Sequence, residues 1–232
     1  MKCLFVSDAH YPKSDAIVRF LSEKYTNYDT IYILGDLFEF FYGYDSFVYS
    51  HHLRLINLLA QIGKSRRLVL FEGNHEYRFE GIKRYIEADV VKEFLEEDID
   101  GFRVVLSHGD TIDKKDIFYR LFRGFLKSRP TLTLINLLPA YLLFNLSQKA
   151  SNFSKRRIKS KKYRGTEAAC LEFAQRKLKK GADVVILAHT HTPVFKKINN
   201  GLYINTGDFF ENFSYVEYET TKGFFLKRWN DE

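Results

Sequence analysis

Short apolar runs rich in β-branched and aromatic residues recur along the chain, and each is too short to form a helix. Runs of this kind are typical of buried strands. The pattern predicts five such strands, at Cys3–Val6, Thr30–Leu34, Leu68–Phe71, Phe102–Leu106 and Asp183–Leu187. From Val194 to Trp229, aromatic and β-branched residues alternate with turn sequences, which predicts further strands and a sheet that is partly antiparallel.

Stretches with helical periodicity lie between the predicted strands. They predict helices at Asp15–Tyr25, at His51–Ile62 with Gly63 as the stop, and at Thr166–Lys180 with Gly181 as the stop. Strands that alternate with helices in this way predict a layered α/β fold. A chain of 232 residues is long enough for one large domain, so residues 1–232 are expected to form a single domain.

Residues 114–163 interrupt this alternation and predict a helical insertion, in which large apolar residues recur at helical spacing from Ile117 to Phe125. The most apolar stretch, Thr131–Leu146, has 16 residues, fewer than the roughly 20 needed to span a bilayer. The segment is also basic, because Asp110 to Gly165 contains 14 Lys or Arg against 3 Asp. A basic segment indicates a polyanionic partner, either nucleic acid or an anionic membrane surface, although a run such as Lys155–Lys162 is often only a solvated face.

The composition narrows the class of protein. Hydrophobic residues make up 45% of the chain and charged residues 28%, which excludes a disordered chain, a collagen-like fibre and a polytopic membrane protein. Two cysteines, Cys3 and Cys170, cannot form a disulfide framework or a cysteine-based zinc site. Because no charged and then apolar leader precedes the first predicted strand, we expect a location in the reducing cytoplasm.

A polar cluster follows each of the five predicted strands directly. The clusters are Ser7-Asp8-Ala9-His10, Gly35-Asp36-Leu37-Phe38-Glu39, Gly73-Asn74-His75-Glu76, Ser107-His108-Gly109-Asp110 and Ala188-His189-Thr190-His191. In open α/β sheets ligands bind at the carboxyl ends of the strands, so we expect the five clusters to converge on one edge. Several imidazoles and carboxylates that face each other need a cation, which predicts a metal site.

The number of candidate ligands indicates two ions rather than one. Seven residues qualify: Asp8, His10, Asp36, Asn74, His108, His189 and His191. This is too many for one four-coordinate ion, and two ions that share Asp36 would use them all. At an extended strand end, as expected here, Asp-x-His and His-x-His each place both side chains on the same side. Two such ions activate water and neutralise phosphoryl oxygens, so the arrangement suits hydrolysis of phosphoesters or phosphoanhydrides.

These five ordered blocks resemble the calcineurin-like metallophosphoesterase superfamily from Leu4 to about Asp208. The resemblance implies a sandwich of mixed β-sheets flanked by helices. It also implies one metal on Asp8, His10, Asp36 and His191 and a second on Asp36, Asn74, His108 and His189. His75 would contact the scissile phosphate and assist the leaving oxygen, oriented by an acid of the Gly-Asp block, here Glu39. Asn74 would hold phosphate oxygens besides serving as a ligand.

The Gly35–Phe41 block, the His108–Thr111 block and the basic insertion look like those of the UDP-2,3-diacylglucosamine pyrophosphatases of lipid A synthesis. That resemblance implies cleavage of UDP-2,3-diacylglucosamine to UMP and 2,3-diacylglucosamine 1-phosphate at the cytoplasmic face of the inner membrane, by a peripherally bound enzyme. The insertion would be a cap that binds the acyl chains. We expect Mn²⁺ at the site, with Fe or Zn²⁺ as alternatives, since the same ligands serve all three.

Several residues keep more than one interpretation. Asp110 orders His108 or caps a following helix, while Arg78 and Arg123 match a diphosphate in chemistry, although the sequence does not fix where they point. His51 and His52 fall outside the clusters and are expected to be structural. Two other functions remain open: a generic phosphodiesterase or nuclease whose basic segment follows a phosphate backbone, and a scaffold of the same fold without activity.

Overall fold

The computed structural model describes residues 1–45, 48–114, 117–136, 142 and 162–230. Five α-helices are present in these ranges: α1 (Ala16–Lys24), α2 (Leu53–Ser65), α3 (Ile117–Leu126), α4 (Arg129–Asn136) and α5 (Lys162–Lys179). Thirteen strands are described there as well: β1 (Lys2–Val6), β2 (Thr30–Ile33), β3 (Phe41–Tyr42), β4 (Arg67–Phe71), β5 (Glu76–Tyr77), β6 (Asp89–Val91), β7 (Phe94–Ile99), β8 (Phe102–Ser107), β9 (Val184–Leu187), β10 (Val194–Ile198), β11 (Gly201–Asn205), β12 (Ser214–Glu219) and β13 (Gly223–Arg228).

The strands form two large mixed sheets and a short ribbon. The first sheet has the order β13-β12-β1-β2-β4-β6, in which β1, β2, β4 and β6 run parallel and β12 is antiparallel to both of its neighbours, β1 and β13. The second has the order β10-β11-β9-β8-β7, with a parallel centre and antiparallel edges. Strands β3 and β5 pair separately. All five strands predicted from the apolar runs are confirmed, and so is the partly antiparallel end of the chain.

The alternation of side chains along β1 shows how the layers are built. Cys3 and Phe5 point into the core between the two sheets, whereas Leu4 and Val6 pack on the opposite face against α1 and α2. The second sheet has the same arrangement, because Val184 faces the first sheet and Val185 faces α5. Strands covered on both sides are apolar at every position, and the molecule is a four-layered α/β/β/α sandwich.

Two features of the predicted layout are corrected by this architecture. The five polar clusters do not lie on the edge of one sheet: β1, β2 and β4 belong to the first sheet, and β8 and β9 to the second. They meet because the carboxyl ends of both sets of strands lie at the same end of the sandwich. In addition, α5 is already helical at Lys162, the first residue described after the gap, four residues before the predicted start at Thr166.

The insertion is described only in part. Its first half forms α3 and α4, which confirms the helical prediction for those residues. Most of Thr131–Leu146 beyond Asn136 and nearly all of the basic run at Lys155–Lys162 lie outside the described residues. Among the helices that are described, not one has both the length and the apolar character needed to cross a membrane.

Gly63 does not stop α2, as the sequence pattern had suggested, because the helix continues to Ser65. The glycine is needed for packing: a Cβ at this position would overlap the backbone carbonyl oxygen of Glu87. The close approach of two backbones explains a glycine inside a helix, where it costs about 1 kcal/mol relative to alanine.

We therefore expect Gly63→Ala to lower the free energy of unfolding by about 2 kcal/mol, because the new methyl group overpacks a tight contact. Gly124→Ala on α3 is the matched control, since a Cβ there has no atom of the described residues within 4 Å and alanine is the better helix former. Urea unfolding of both variants measures the difference. A Gly63→Ala protein as stable as the control variant would contradict the packing argument.

His52 is a structural residue, as expected. Its ring is 1% exposed, lies 4.7 Å from the ring of Phe38, and within the described residues neither of its nitrogens has a hydrogen-bond partner. Burial, assisted by the neighbouring His51, lowers the pKa of His52 to about 3. The folded protein therefore holds this imidazole neutral at pH values where the unfolded chain binds a proton.

This difference predicts how stability depends on pH. Between the unfolded pKa of about 6.5 and the folded pKa of about 3, the unfolded chain binds more protons, so stability falls as pH falls. His52 should cost about 2 kcal/mol between pH 7 and pH 5. Comparison of denaturant unfolding at both pH values for wild type and His52→Phe measures this contribution. Equal losses in the two proteins would show that His52 does not titrate in this way.

Candidate metal centre

Asp36 lies at the centre of the converging loops. It follows β2, its side chain is fully buried, and its Oδ2 lies 3.5 Å from Nε2 of His108 and 4.0 Å from Nε2 of His75. Burial by itself disfavours a charged carboxylate, but His108 and His75 hold the pKa of Asp36 well below its usual value. Asp36 is therefore an anion in contact with residues from both sheets, because His108 follows β8 of the second sheet.

The remaining candidate ligands form two groups around this carboxylate. In the first, ligand atoms of Asp8, His10 and His191 lie within 4.8 Å of one another, and in the second the same holds for Asp36, His108 and His189. Oδ1 of Asn74 lies 3.2 Å from Nε2 of His108, so Asn74 joins the second group. The structure thus brings together all seven residues that the sequence selected.

The backbone at these positions is not extended, so that part of the prediction is wrong. Asp8, His10, Asp36, His189 and His191 all have positive φ, between 49° and 70°. Left-handed backbone costs a residue other than glycine about 1–2 kcal/mol, and it is concentrated at functional sites. His189 and His191 lie in different groups.

Two glycines allow the loops to approach so closely. A Cβ at Gly35 would lie 2.6 Å from Nδ1 of His108, and one at Gly73 would overlap Oδ1 of Asp36. Gly35 also has φ of 92°, which favours glycine for conformational reasons. Both positions are therefore glycine because the functional side chains occupy the space of a Cβ.

Glu76 holds two of the loops together, and sequence reasoning did not assign it a role. Its buried carboxylate accepts hydrogen bonds from the backbone N–H groups of Asp36, Phe38 and Gly73, at 2.9–3.1 Å. Burial, together with the charge of Asp36, raises the pKa of Glu76 to about 8. The only signal in the sequence was its place directly after Asn74-His75.

Glu39 contacts two histidines in different ways. Its backbone carbonyl oxygen lies 2.6 Å from Nδ1 of His75, whereas its carboxylate lies 3.3 Å from Nδ1 of His10 and forms an ion pair with Lys13. The hydrogen bond that fixes Nδ1 of His75 therefore comes from the Glu39 backbone, while a carboxylate oxygen of Glu39 lies within 4.8 Å of a nitrogen of the same ring. Because the carbonyl accepts the Nδ1 proton of His75, Nε2 of that ring is left facing the centre.

Asp110 and Arg123 lie beside the second group. The hydrogen bond that orients Nδ1 of His108 goes to the carbonyl oxygen of Leu34, at 2.8 Å, rather than to the expected Asp110 carboxylate. Instead, Oδ2 of Asp110 lies 2.6 Å from Nε of Arg123. Burial opposes ionisation, but His108 and Arg123 lower the pKa of Asp110. Arg78, in contrast, is paired with Asp45 and the Tyr42 ring.

Ser7 and Asp208 support the first group and were not placed in the site from the sequence. The hydroxyl of Ser7 donates to Oδ2 of Asp8 at 2.6 Å, and Oδ2 of Asp208 lies 3.9 Å from Nδ1 of His191. Asp208 is itself fixed by the backbone N–H groups of Phe210, Glu211 and Asn212. In the sequence, the signal for these two residues is a polar side chain next to the end of a strand. Residues that merely form a turn give the same signal.

The donor set fits divalent cations. Within the described residues, Oδ1 of Asp8 and Nδ1 of His189 are buried and have no hydrogen-bond partner, which is costly unless another ligand satisfies them. Burial opposes a charge on His108, yet Asp36, Asp8 and Asp110 raise its pKa to about 10. Burial and the nearby His108 lower the pKa of His189 to about 4. The carboxylates thus create a negative potential that attracts a positive charge to this point.

Comparison with known proteins agrees with this donor set. Residues 1–193 match the calcineurin-like phosphoesterase family. A UDP-2,3-diacylglucosamine hydrolase of Blochmanniella pennsylvanica is 28% identical over 214 residues, which cover 85% of this chain and 82% of the relative. The enzyme of that name from Psychromonas ingrahamii is 27% identical and covers 96% of this chain and 95% of its own.

Solved structures show the same fold at low sequence identity. An archaeal phosphodiesterase superposes with a TM-score of 0.52 at 16% identity and covers 98% of this chain and 99% of its own. A mutant of Vps29 from Entamoeba histolytica gives a TM-score of 0.50 at 14% identity over the whole of both chains. With the family match over most of its length and the ligand groups in place, the chain belongs to the calcineurin-like phosphoesterases and is a metal-dependent hydrolase of phosphoesters or phosphoanhydrides.

Proposed function

We propose that the protein cleaves the pyrophosphate of UDP-2,3-diacylglucosamine to UMP and 2,3-diacylglucosamine 1-phosphate. The observation that carries the chemistry is the convergence of seven ligand-type side chains around the Asp36 carboxylate. The relatives named for this reaction support the choice of substrate, because they match the chain over most of its length.

Two divalent ions, Mn²⁺ in preference to Fe or Zn²⁺, would activate water and neutralise charge on the phosphoryl oxygens. Asp8, His10, Asp36 and His191 would hold one ion, and Asp36, Asn74, His108 and His189 the other. The tautomer of His108 suits this role, since its Nδ1–H donates to Leu34 and leaves Nε2 to act as ligand. The carboxylate of Glu39 would orient His10 in the same way.

His75 is the residue that would assist the leaving group. Its side chain is 24% exposed, so substrate can reach it, and its Nδ1 is held by the Glu39 carbonyl. A fixed ring with Nε2 directed at the centre can donate a proton or a hydrogen bond to the oxygen that departs when both of its nitrogens carry a proton. Asn74 and His75 would contact the scissile phosphate together, and Arg123 would lie beside it with Asp110. Arg78 stays a candidate phosphate contact, but it is paired with Asp45, whose side chain is 61% exposed, and would have to exchange that partner for a phosphate.

The insertion supports a lipid-linked substrate. Ile117, Leu121 and Phe125 occur at intervals of four residues on α3, and each is 63–69% exposed. An exposed apolar face of this kind suits acyl chains or the surface of a membrane. We place the enzyme in the cytoplasm, in peripheral contact with the anionic inner membrane through the basic insertion. Nucleic acid is the less favoured partner.

A comparison of three substrates after reconstitution with Mn²⁺ tests this assignment. We expect rapid release of UMP from UDP-2,3-diacylglucosamine, at least about 100-fold faster than hydrolysis of UDP-N-acetylglucosamine, because the unacylated compound lacks the apolar contacts. Bis-p-nitrophenyl phosphate measures the metal chemistry alone. Cleavage of the diester without cleavage of the acylated substrate would refute the lipid assignment and favour a phosphodiesterase or nuclease.

Removing the shared carboxylate tests the metal assignment. Asp36→Asn keeps the shape of the side chain and the oxygen that accepts the N–H of His75, but it removes the charge. We expect loss of at least one of two Mn²⁺ ions in calorimetric titration and a fall in kcat of about 1,000-fold or more. Asp89→Asn, at an exposed position, is the control. Near-normal turnover and two bound ions in Asp36→Asn would contradict the two-metal arrangement.

A further inference from the structure

Helix α3 contacts two of the metal-bearing loops through two cations that are one helical turn apart. Nε of Arg123 lies 2.6 Å from Oδ2 of Asp110, in the loop that carries His108. Nζ of Lys127, directly after α3, lies 2.6 Å from Oε1 of Glu72 and donates to the carbonyl oxygen of Gly73 at 2.8 Å. The first half of the insertion is thus attached to both sheets.

Both contacts are removed from solvent. The exposed fraction of the side chain is 17% for Arg123 and 4% for Asp110, and it is 15% for Lys127 and 9% for Glu72. Exposed ion pairs contribute little, but a buried pair leaves an uncompensated charge when one partner is removed. These contacts therefore fix the position of α3 on the loops more firmly than surface pairs would.

The Lys127 contact acts on the peptide that precedes Asn74. The N–H of Gly73 donates to Oε2 of Glu76, and its Cα packs against Asp36 so closely that a Cβ would not fit. Two residues further along the chain, the backbone N–H of His75 donates to Oδ1 of Asp36 at 3.0 Å. Gly73 is held between Glu76 on one side and Lys127 on the other, so its displacement would move the loop that carries Asn74 and His75.

The other side of α3 is free of these contacts. At 3.6 residues per turn, Ile117, Leu121 and Phe125 point roughly opposite to Arg123 and Lys127. The apolar set is largely exposed, whereas the two cations are covered by the loops. One helix therefore has a face directed at the catalytic loops and a face open to ligand.

We propose that Lys127 is a positioning residue for hydrolysis: it holds the Gly73–His75 loop in the geometry that binds metal, with Arg123 as the second attachment of α3. Lys127 would act through Gly73 and not through contact with the phosphate. The inference rests on the proposed function in one respect only: it assumes that the exposed face of α3 binds substrate. In that case docking of substrate on α3 and completion of the metal centre are coupled.

Lys127→Met tests this role, because methionine keeps the apolar part of the chain and removes the charge and the donors. We expect kcat on bis-p-nitrophenyl phosphate to fall about tenfold or more with KM changed less than about twofold, and Mn²⁺ affinity to fall about tenfold, as for other residues that support metal ligands. Lys127→Arg should restore part of both. Lys114→Met, at an exposed position just before α3, is the matched control and should behave as wild type.

A Lys127→Met protein with wild-type kcat and wild-type Mn²⁺ affinity would overturn the proposal. If that variant does not fold, Glu72→Gln replaces it: the amide is isosteric, Lys127 stays in place, and its Nζ loses the charged partner. We then expect smaller losses in the same direction, and unchanged kcat and Mn²⁺ affinity would again overturn the proposal.

The design separates this inference from the assignment of the substrate. The diester is too small to need the insertion, so a wild-type enzyme that cleaves it but not the acylated nucleotide would refute only the proposed function. The Mn²⁺ titration does not depend on turnover and tests the position of the loop even if the diester is a poor substrate. A loss confined to KM for the acylated substrate would show that Lys127 contacts substrate, and it would overturn the positioning role.

Discussion

The arrangement of this molecule depends on a charged carboxylate, Asp36, held at the junction of two sheets. A buried anion is unfavourable unless cations or hydrogen bonds compensate it, and here His108 and His75 do so from separate loops. This requirement ties β2 in the first sheet to β8 in the second. The same junction is fixed by the backbone, because Nδ1 of His108 donates to the carbonyl oxygen of Leu34 directly after β2.

The loops that meet at this junction are held in unfavourable conformations by hydrogen bonds made elsewhere. Five of the seven candidate ligands have left-handed backbone, which a free loop would not maintain. Glu76 and Asp208 each accept hydrogen bonds from three backbone N–H groups and so fix the conformation of the loops that carry the ligands. The rigidity that a metal centre needs comes from these carboxylates as much as from the ligands themselves.

The sequence predicts features that depend on residues close together in the chain. It does not predict features that depend on packing between distant segments. The strands are recognisable because their central positions are covered on both faces and are therefore almost all apolar. The ligand residues follow because they stand directly after those strands. The role of Glu76 depends on the N–H groups of Asp36 and Phe38, about 40 residues earlier in the chain. Gly63 was interpreted as a helix stop because nothing in its neighbourhood records the approach of Glu87.

The basic residues of the insertion likewise have contacts with distant segments that the sequence does not show, and these contacts change the role assigned to two of them. The excess of Lys and Arg between residues 110 and 165 indicates a polyanionic partner, but a count does not show which of these cations face outward. In the structure Arg123 and Lys127 face inward, where Asp110 and Glu72 neutralise them. These cations belong to the electrostatics of the metal centre, since they offset carboxylates at its rim as divalent ions would offset those within it. In the proposed contact with an anionic membrane, the attraction would therefore come from the other basic residues of the insertion, and the apolar face of α3 would add a contact that charge alone does not provide.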